Sequence, residues 1–337
     1  MHENPLIQNP VVRLPCGFGL GGGPLGNMFA VVEDDVATAT VEAAWDCGVR
    51  YFDTAPHYGL GLSESRLGAV LGNKPRSEYT LSTKVGRLLV PIGHDGSDTD
   101  GEGFAVPATH RRVVDFSEAA IRQSLEASLD RLGIDTVDVV YLHDPENNIE
   151  QAVEQGAPAL ERMKAEGLCQ AIGVGSNDNT AIRAILAACD LDVAMVAGSI
   201  TLLDHSALTE VIPLCQQNDV KVVAAGVFNS GVLASTEPSN AMYAYAAASP
   251  VIVDRVKALG ETCKEFGVSL RAAAMAFPGR FADSAAVCVG ARSPEEAKSN
   301  AADWGVDLPQ ALWDELEARN LISVDSSSHH KTIEINN

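Results

Sequence analysis

Four side chains of complementary acid–base character sit at or just beyond the ends of short apolar, strand-like runs. Asp53 closes Tyr51-Phe52-Asp53 and Tyr58 follows it by five residues; Lys84 closes Ser82-Thr83-Lys84; His143 closes Tyr141-Leu142-His143. A lysine at the end of a buried strand is costly unless a carboxylate pairs with it, and Asp53 is the obvious partner. A cation beside a phenol favours the phenolate, so Lys84 is expected to bring Tyr58 down from about 10 toward the range of a general acid or base. A neutral His143 would hydrogen-bond a substrate oxygen. Each residue alone reads as structural, whereas the four together predict proton transfer at an oxygen. His57, beside Tyr58, is given a lesser part as a substrate contact.

Such convergence needs a scaffold that brings successive strand ends together. Strand-like runs occupy residues 15–20, 49–53, 79–85, 137–142, 168–174, 192–198, 220–227 and 285–290. Between them, 3.6-residue periodicity marks helices at 34–48, 63–72, 117–132, 151–166, 179–189, 206–218, 251–267 and 294–302. Eight alternating units predict a closed (β/α)8 barrel, with a doubly wound open sheet as the other arrangement. One domain is expected over 1–337, with a barrel core over about 15–303 and a C-terminal helix and tail over 309–337. Connections 86–116 and 228–249 follow strands three and seven, so they are expected at the mouth where barrel enzymes build their sites. Phe104, Phe116, Tyr243 and Tyr245 are candidates for an apolar wall there, and Asn229 and Asn240 for polar contacts.

The string Gly17 to Gly26 matches Gly-x-Gly-x-x-Gly in two registers, yet Pro24 and the run into Phe29 open no helix, as a Rossmann turn requires. A strand-to-loop turn at the mouth is the better reading. The acidic stretch Asp95, Asp98, Asp100, Glu102 lacks the glycine and glutamate of a calcium loop, so a solvated loop is expected. The histidines include no His-x-His, and no metal is predicted.

Among 337 residues, 46% are hydrophobic and 20% charged, which suits a globular core. Lys and Arg number 24 against 45 Asp and Glu, a net charge of −21 that argues against nucleic-acid and anionic-lipid partners. Seven cysteines without Cys-x-x-Cys read as reduced core residues. No apolar run reaches membrane length and the first residues are unlike a signal peptide, so a cytoplasmic protein is expected.

The combination of Phe52-Asp53-Thr54-Ala55-Pro56-His57-Tyr58-Gly59, Ser63-Glu64, Ser82-Thr83-Lys84, the run Ser124 to Asp135, His143-Asp144-Pro145 and Gly290-Ala291-Arg292-Ser293 with Asn300 resembles the aldo-keto reductase superfamily over residues 15–303. Within it, Val137 to Pro145, Gly173-Val174-Gly175 and Thr201 to Asp204 look most like the bacterial aldose 1-dehydrogenases, with pyridoxal 4-dehydrogenase in the same neighbourhood. The resemblance implies a catalytic tetrad of Asp53, Tyr58, Lys84 and His143. It also implies oxidation of a sugar or similar cyclic hemiacetal to a lactone, with a nicotinamide dinucleotide taking the hydride. The alternatives are pyridoxal oxidation, NADPH-dependent carbonyl reduction and a cofactor-binding regulatory subunit.

The cofactor positions it implies are Gly21, the pair Ser176 and Asn177, Ile200 where relatives often stack a tyrosine, the pyrophosphate loop Val227, Phe228, Gly231 and Leu233, and Gly290, Arg292, Glu296 and Asn300. NADP-preferring relatives carry basic residues at the positions of Gly290 and Glu296. A carboxylate repels a 2′-phosphate and accepts from a ribose hydroxyl, so NAD is expected to be preferred, with NADP possible. The bland reading of Glu296 is a helix cap.

Overall fold

The computed structural model describes residues 14–93, 98–235, 242–243, 246–281 and 284–323. All eight runs become parallel strands: β1 (Gly17–Gly21), β2 (Tyr51–Asp53), β3 (Thr80–Val85), β4 (Val137–His143), β5 (Cys169–Ser176), β6 (Val193–Ala197), β7 (Lys221–Ala225) and β8 (Ser284–Gly290). They pair in chain order, and β8 pairs back with β1, so the sheet is a closed barrel with no free edge.

Helices cover the outside: α1 (Asp34–Asp46), α2 (Leu62–Leu71), α3 (Glu118–Leu132), α4 (Ala157–Ala165), α5 (Asn179–Ala188), α6 (Ser206–Glu210), α7 (Ile212–Gln217), α8 (Pro250–Glu265), α9 (Leu270–Ala276), α10 (Pro294–Trp304) and α11 (Gln310–Ala318). Several start where a short polar side chain accepts the backbone N–H three residues on: Ser117 from Ala120, Asp178 from Ala181, Ser249 from Ile252 and Ser293 from Glu296.

Three departures from the periodicity have local causes. The segment expected to be one helix over 206–218 breaks at Val211, because Pro213 lacks the N–H that would continue the first turn. The segment 151–166 enters α4 through a π-helical stretch, Ala152–Gly156. Helix α9 escaped the pattern because Leu270 and Ala272 to Met275 are all buried, leaving no amphipathic stripe to read.

The connection after β3 is a built element rather than a loop. Arg87–Pro91 and His110–Val114 form an antiparallel hairpin, and residues 98–109 arch between them. The connection after β7 holds a one-turn helix, Val232–Ala234, and a ribbon of Met242–Tyr243 with Ala246–Ala247. Tyr245, Asn240, Asp95 and the tail beyond Ser323 lie outside the described residues.

Inside the barrel, Tyr51, Val139, Tyr141, Val193, Met195 and Val223 pack into a plug. The larger core lies between strands and helices. Cys169, Cys215, Cys263 and Cys288 are buried as expected, whereas Cys16 and Cys47 are exposed. Among the described residues, no helix is long and apolar enough to cross a membrane.

Candidate active site

Side chains alternate across a strand, so inward positions recur every second residue. Tyr51 and Asp53 on β2, Ser82 and Lys84 on β3, and Tyr141 and His143 on β4 therefore form two layers, and the pairing places Asp53 opposite Ser82 and Lys84 opposite Tyr141. The lower layer is a hydroxyl floor. The Tyr51 hydroxyl lies 3.0 Å from Ser82 Oγ and 3.4 Å from the Tyr141 hydroxyl, and Ser82 Oγ donates to Asp53 Oδ1 at 2.6 Å. This floor was not anticipated, although its signal was present two residues before each of Asp53, Lys84 and His143.

The upper layer carries the charge. Lys84 Nζ donates to Asp53 Oδ2 at 2.6 Å, to the Thr54 carbonyl at 2.9 Å and to the Tyr58 hydroxyl oxygen at 3.0 Å. All three ammonium hydrogens are thereby used, and the Tyr58 O–H remains available to another acceptor. Tyr58 stands on the loop after β2, which is pressed onto the glycine-rich turn after β1. A Cβ on Gly59 would lie 2.2 Å from the Gly26 carbonyl oxygen, so only glycine permits the approach. Likewise a Cβ on Gly19 would fall 2.3 Å from the Tyr51 ring. These two glycines make room for tyrosines, and the turn opens only a one-turn helix, Pro24–Gly26, unlike a Rossmann turn.

Scaffold residues of the same motifs sit behind this layer. Glu64 is fully buried, accepting from Thr83 Oγ1 at 2.7 Å and Arg131 Nε at 2.6 Å, and it ties α2 to β3 and α3.

Burial works against the charge of Lys84, but Asp53 and Tyr58 more than offset it and hold the ammonium above its ordinary value. For Tyr58 the expected direction is reversed. Burial pushes its phenol well above the ordinary value, and Lys84 opposes this only in part. His143 is held far below 6.5, first by burial and then by Lys84 and Arg87. It is therefore a neutral ring at working pH, 5.9 Å from the Tyr58 ring and edge-on to it, with Nδ1 buried and without a hydrogen bond.

The hairpin after β3 walls one side of this pit. Phe104 stacks on Tyr58 at 6.1 Å and is almost completely buried. Arg87 donates to Asp144 Oδ2 at 2.8 Å beside His143. Arg112 clasps Asp100 through two bonds of 2.7 and 2.9 Å, with side chains 2% and 6% exposed. The acidic loop is thus not wholly solvated: Asp100 is a buried partner. Phe116 does not line the pit, since it is sealed in the core beneath Gly86, and Tyr243 packs against the cluster around α8 and α9. Among the described residues, no cluster of His, Cys, Asp and Glu is placed to hold a metal ion.

The opposite rim gathers the residues implied to hold a dinucleotide. Gly21 and Gly290 end the adjoining strands β1 and β8. Ser176 ends β5 buried, its Oγ accepting from Asp178 N at 3.0 Å, and Asn177 after it is exposed. After β7 the backbone is left-handed at Gly226, Asn229, Ser230 and Gly231, and it folds into tight turns in which Asn229 N donates to the Gly226 carbonyl and Gly231 N to the Phe228 carbonyl. Asn229 Nδ2 donates to the Gly198 carbonyl at 3.0 Å, while its buried Oδ1 has no partner. Phe228 is half-buried under the Arg271 guanidinium, 5.0 Å from its ring.

Ile200, Val227 and Leu233 are packed in the core, so they offer a ligand backbone and shape rather than side-chain surface. Asn300 donates to the Gly290 carbonyl at 3.2 Å and accepts from Arg271. Glu296 does what the bland reading required. Its Oε2 accepts from the Arg292 backbone N–H at 2.8 Å, one residue before the N-cap, while Ser293 Oγ accepts from Glu296 N, a variant of the capping box at the start of α10. Both Arg292 and Glu296 remain exposed beside Gly290.

The chain is 46% identical over 309 residues to a D-threo-aldose 1-dehydrogenase of a Pseudomonas species, covering 90% of this chain and 94% of that protein. It is 36% identical to the pyridoxal 4-dehydrogenase of Microbacterium luteolum, with the same shares covered. The solved structure of glycerol dehydrogenase from Gluconobacter oxydans superposes with a TM-score of 0.73 at 21% identity, covering 95% of this chain and 98% of that one. Residues 18–320 match the model of the aldo/keto reductase family, and the chain belongs to that family of oxidoreductases.

Proposed function

We propose that this protein oxidises an aldose at its anomeric carbon, with Asp53, Tyr58, Lys84 and His143 as the catalytic set and NAD as the preferred cofactor. The observation that carries the reading is the chain Asp53–Lys84–Tyr58, with contacts of 2.6 and 3.0 Å, under a neutral His143. The likeness to a protein named D-threo-aldose 1-dehydrogenase supports the substrate class.

A nicotinamide dinucleotide, when bound, supplies the acceptor for the hydride that leaves the anomeric carbon as the lactone forms. The buried, partnerless Asn229 Oδ1 suits a donor group of such a ligand. Ser176, Asn177, Phe228, Gly231, Gly290, Arg292 and Asn300 are the residues proposed to hold it, with Gly21 and the backbone of Ile200, Val227 and Leu233 shaping the seat. His143 donates to or accepts from the anomeric hydroxyl and fixes it against Tyr58. Tyr58 takes the hydroxyl proton, and Lys84 stabilises the phenolate form it needs, held in place by Asp53. Because burial raises Tyr58, oxidation is expected to quicken toward alkaline pH.

The test is a nucleotide-reduction assay with NAD and NADP on D- and L-aldoses and pyridoxal, run on wild type and Tyr58→Phe. Turnover of an aldose is expected, with a loss of about 10²–10⁴-fold in the variant. Turnover of pyridoxal alone, or undiminished turnover in Tyr58→Phe, overturns the reading.

A further inference from the structure

His57 is a built group that the proton-transfer scheme leaves unused. Its ring lies 5.7 Å from that of His143 and 6.1 Å from that of Tyr58, and it meets Phe104 edge-on at 5.1 Å. Its side chain is 16% exposed, and Nδ1 is buried without a hydrogen bond; the nearest carboxylate, Glu102, is 3.7 Å away. The backbone beneath it is clamped, because Arg112 Nη2 donates to the His57 carbonyl at 2.9 Å while the same guanidinium is locked to Asp100. A polar ring has thus been fixed at the mouth, next to the group proposed to seat the reacting oxygen, with polar capacity to spare.

The chemistry of that ring narrows what it reads. Burial first, then Arg87, Arg112 and Lys84, bring His57 down to about 3, so it stays neutral at working pH and offers no charge to an anion. A neutral imidazole has one donor and one acceptor nitrogen. A hydroxyl, itself donor and acceptor, satisfies it in either tautomer, whereas a methylene leaves it desolvated and unpaired. With the anomeric oxygen between Tyr58 and His143, the nearest group that both donates and accepts is the hydroxyl on the next carbon, because the ring oxygen accepts only.

We propose that His57 recognises the hydroxyl on the carbon adjacent to the reacting one, so that the site selects aldoses over their 2-deoxy counterparts. This rests on the aldose-oxidation reading above. The penalty on an unpaired buried polar group sets the expected discrimination at about tenfold to a hundredfold in kcat/KM.

The experiment compares L-galactose with 2-deoxy-L-galactose, each with NAD, in wild type, His57→Ala and His57→Asn, alongside NAD binding by quenching of intrinsic fluorescence as a check on folding. The wild type is expected to prefer the parent sugar by at least tenfold. His57→Ala should bring the ratio toward parity, and His57→Asn, which keeps a donor and an acceptor, should restore part of it. A ratio unchanged in His57→Ala, with both sugars slowed alike, overturns the proposal and leaves the aldose reading standing. If wild type binds NAD and oxidises neither sugar nor any other aldose, the aldose reading fails and this proposal fails with it.

Discussion

At the scale of single residues, the state of Tyr58 is set by a contest between burial and Lys84. Convergence of the strand ends, read from the sequence, conveyed only the second contribution, so it predicted a lowered phenol, whereas the folded pit raises it. Lys84 is therefore a counterweight rather than the dominant influence. Replacing it with methionine keeps much of the bulk, removes the opposing cation and leaves Asp53 without its ion-pair partner. Tyr58 should then rise further, fewer molecules should hold the phenolate at any given pH, and the alkaline limb of the kcat profile for oxidation should move to higher pH. A fall of about 10²-fold or more at pH 8 is expected. Stopped-flow measurement of nucleotide reduction from pH 7 to 10.5 checks this. A profile that merely scales down without moving would assign Lys84 to positioning alone.

At the scale of elements, strands and helices were legible because burial writes a period of 2 or 3.6 into them, and the sites at strand ends were legible with them. The hairpin Arg87–Pro91 with His110–Val114 was not. Its strands are half-exposed, its residues carry weak alternation, and its register is fixed by tertiary ties such as Arg112 to Asp100. Glu296 illustrates a different obstacle: a carboxylate three residues after a helix-opening serine is what both a capping box and a ribose contact require. The structure assigns the cap, yet the exposed charge beside Gly290 can still bias cofactor choice. Glu296→Gln separates the two, since the amide oxygen retains the bond from Arg292 N while the charge disappears. If the charge sets the preference, the NADP-to-NAD ratio of kcat/KM rises several-fold with little change in Tm. Glu296→Ala, which also loses the bond from Arg292 N while Ser293 still caps the helix, should in addition lose about 1 kcal/mol in urea denaturation. An unchanged ratio in both variants would remove Glu296 from cofactor selection.

At the scale of the whole molecule, the excess of acids is 21, yet the groups that govern acid stability are a few buried imidazoles. Burial lowers His57 to about 3 and His205 to about 4, and it holds His143 far below 6.5. Each is neutral in the folded chain and takes a proton near pH 6.5 in the unfolded chain. Above that pH neither state binds the proton and nothing is lost; as pH falls below 6.5 the unfolded state gains protons that the folded state refuses, so stability declines until the folded values are reached. At pH 5 the deficit is about 2 kcal/mol each for His57 and His205. Asp144, raised above its ordinary value by burial, acts in the opposite sense and so opposes the decline rather than causing it. The lowered carboxyls of Glu166, Glu265 and Glu295 lose their contribution only below about 4.5, outside this window. His205 permits a test away from the candidate site, because its ring packs on Phe277 at 5.1 Å and its Nε2 is buried without a partner. Urea denaturation of wild type should show stability falling markedly between pH 7.5 and pH 5.0. His205→Phe, which cannot titrate, should fall by about 2 kcal/mol less across the same interval, whatever its stability at pH 7.5. Equal losses in the two proteins would mean that His205 takes up its proton in the folded chain as readily as in the unfolded one.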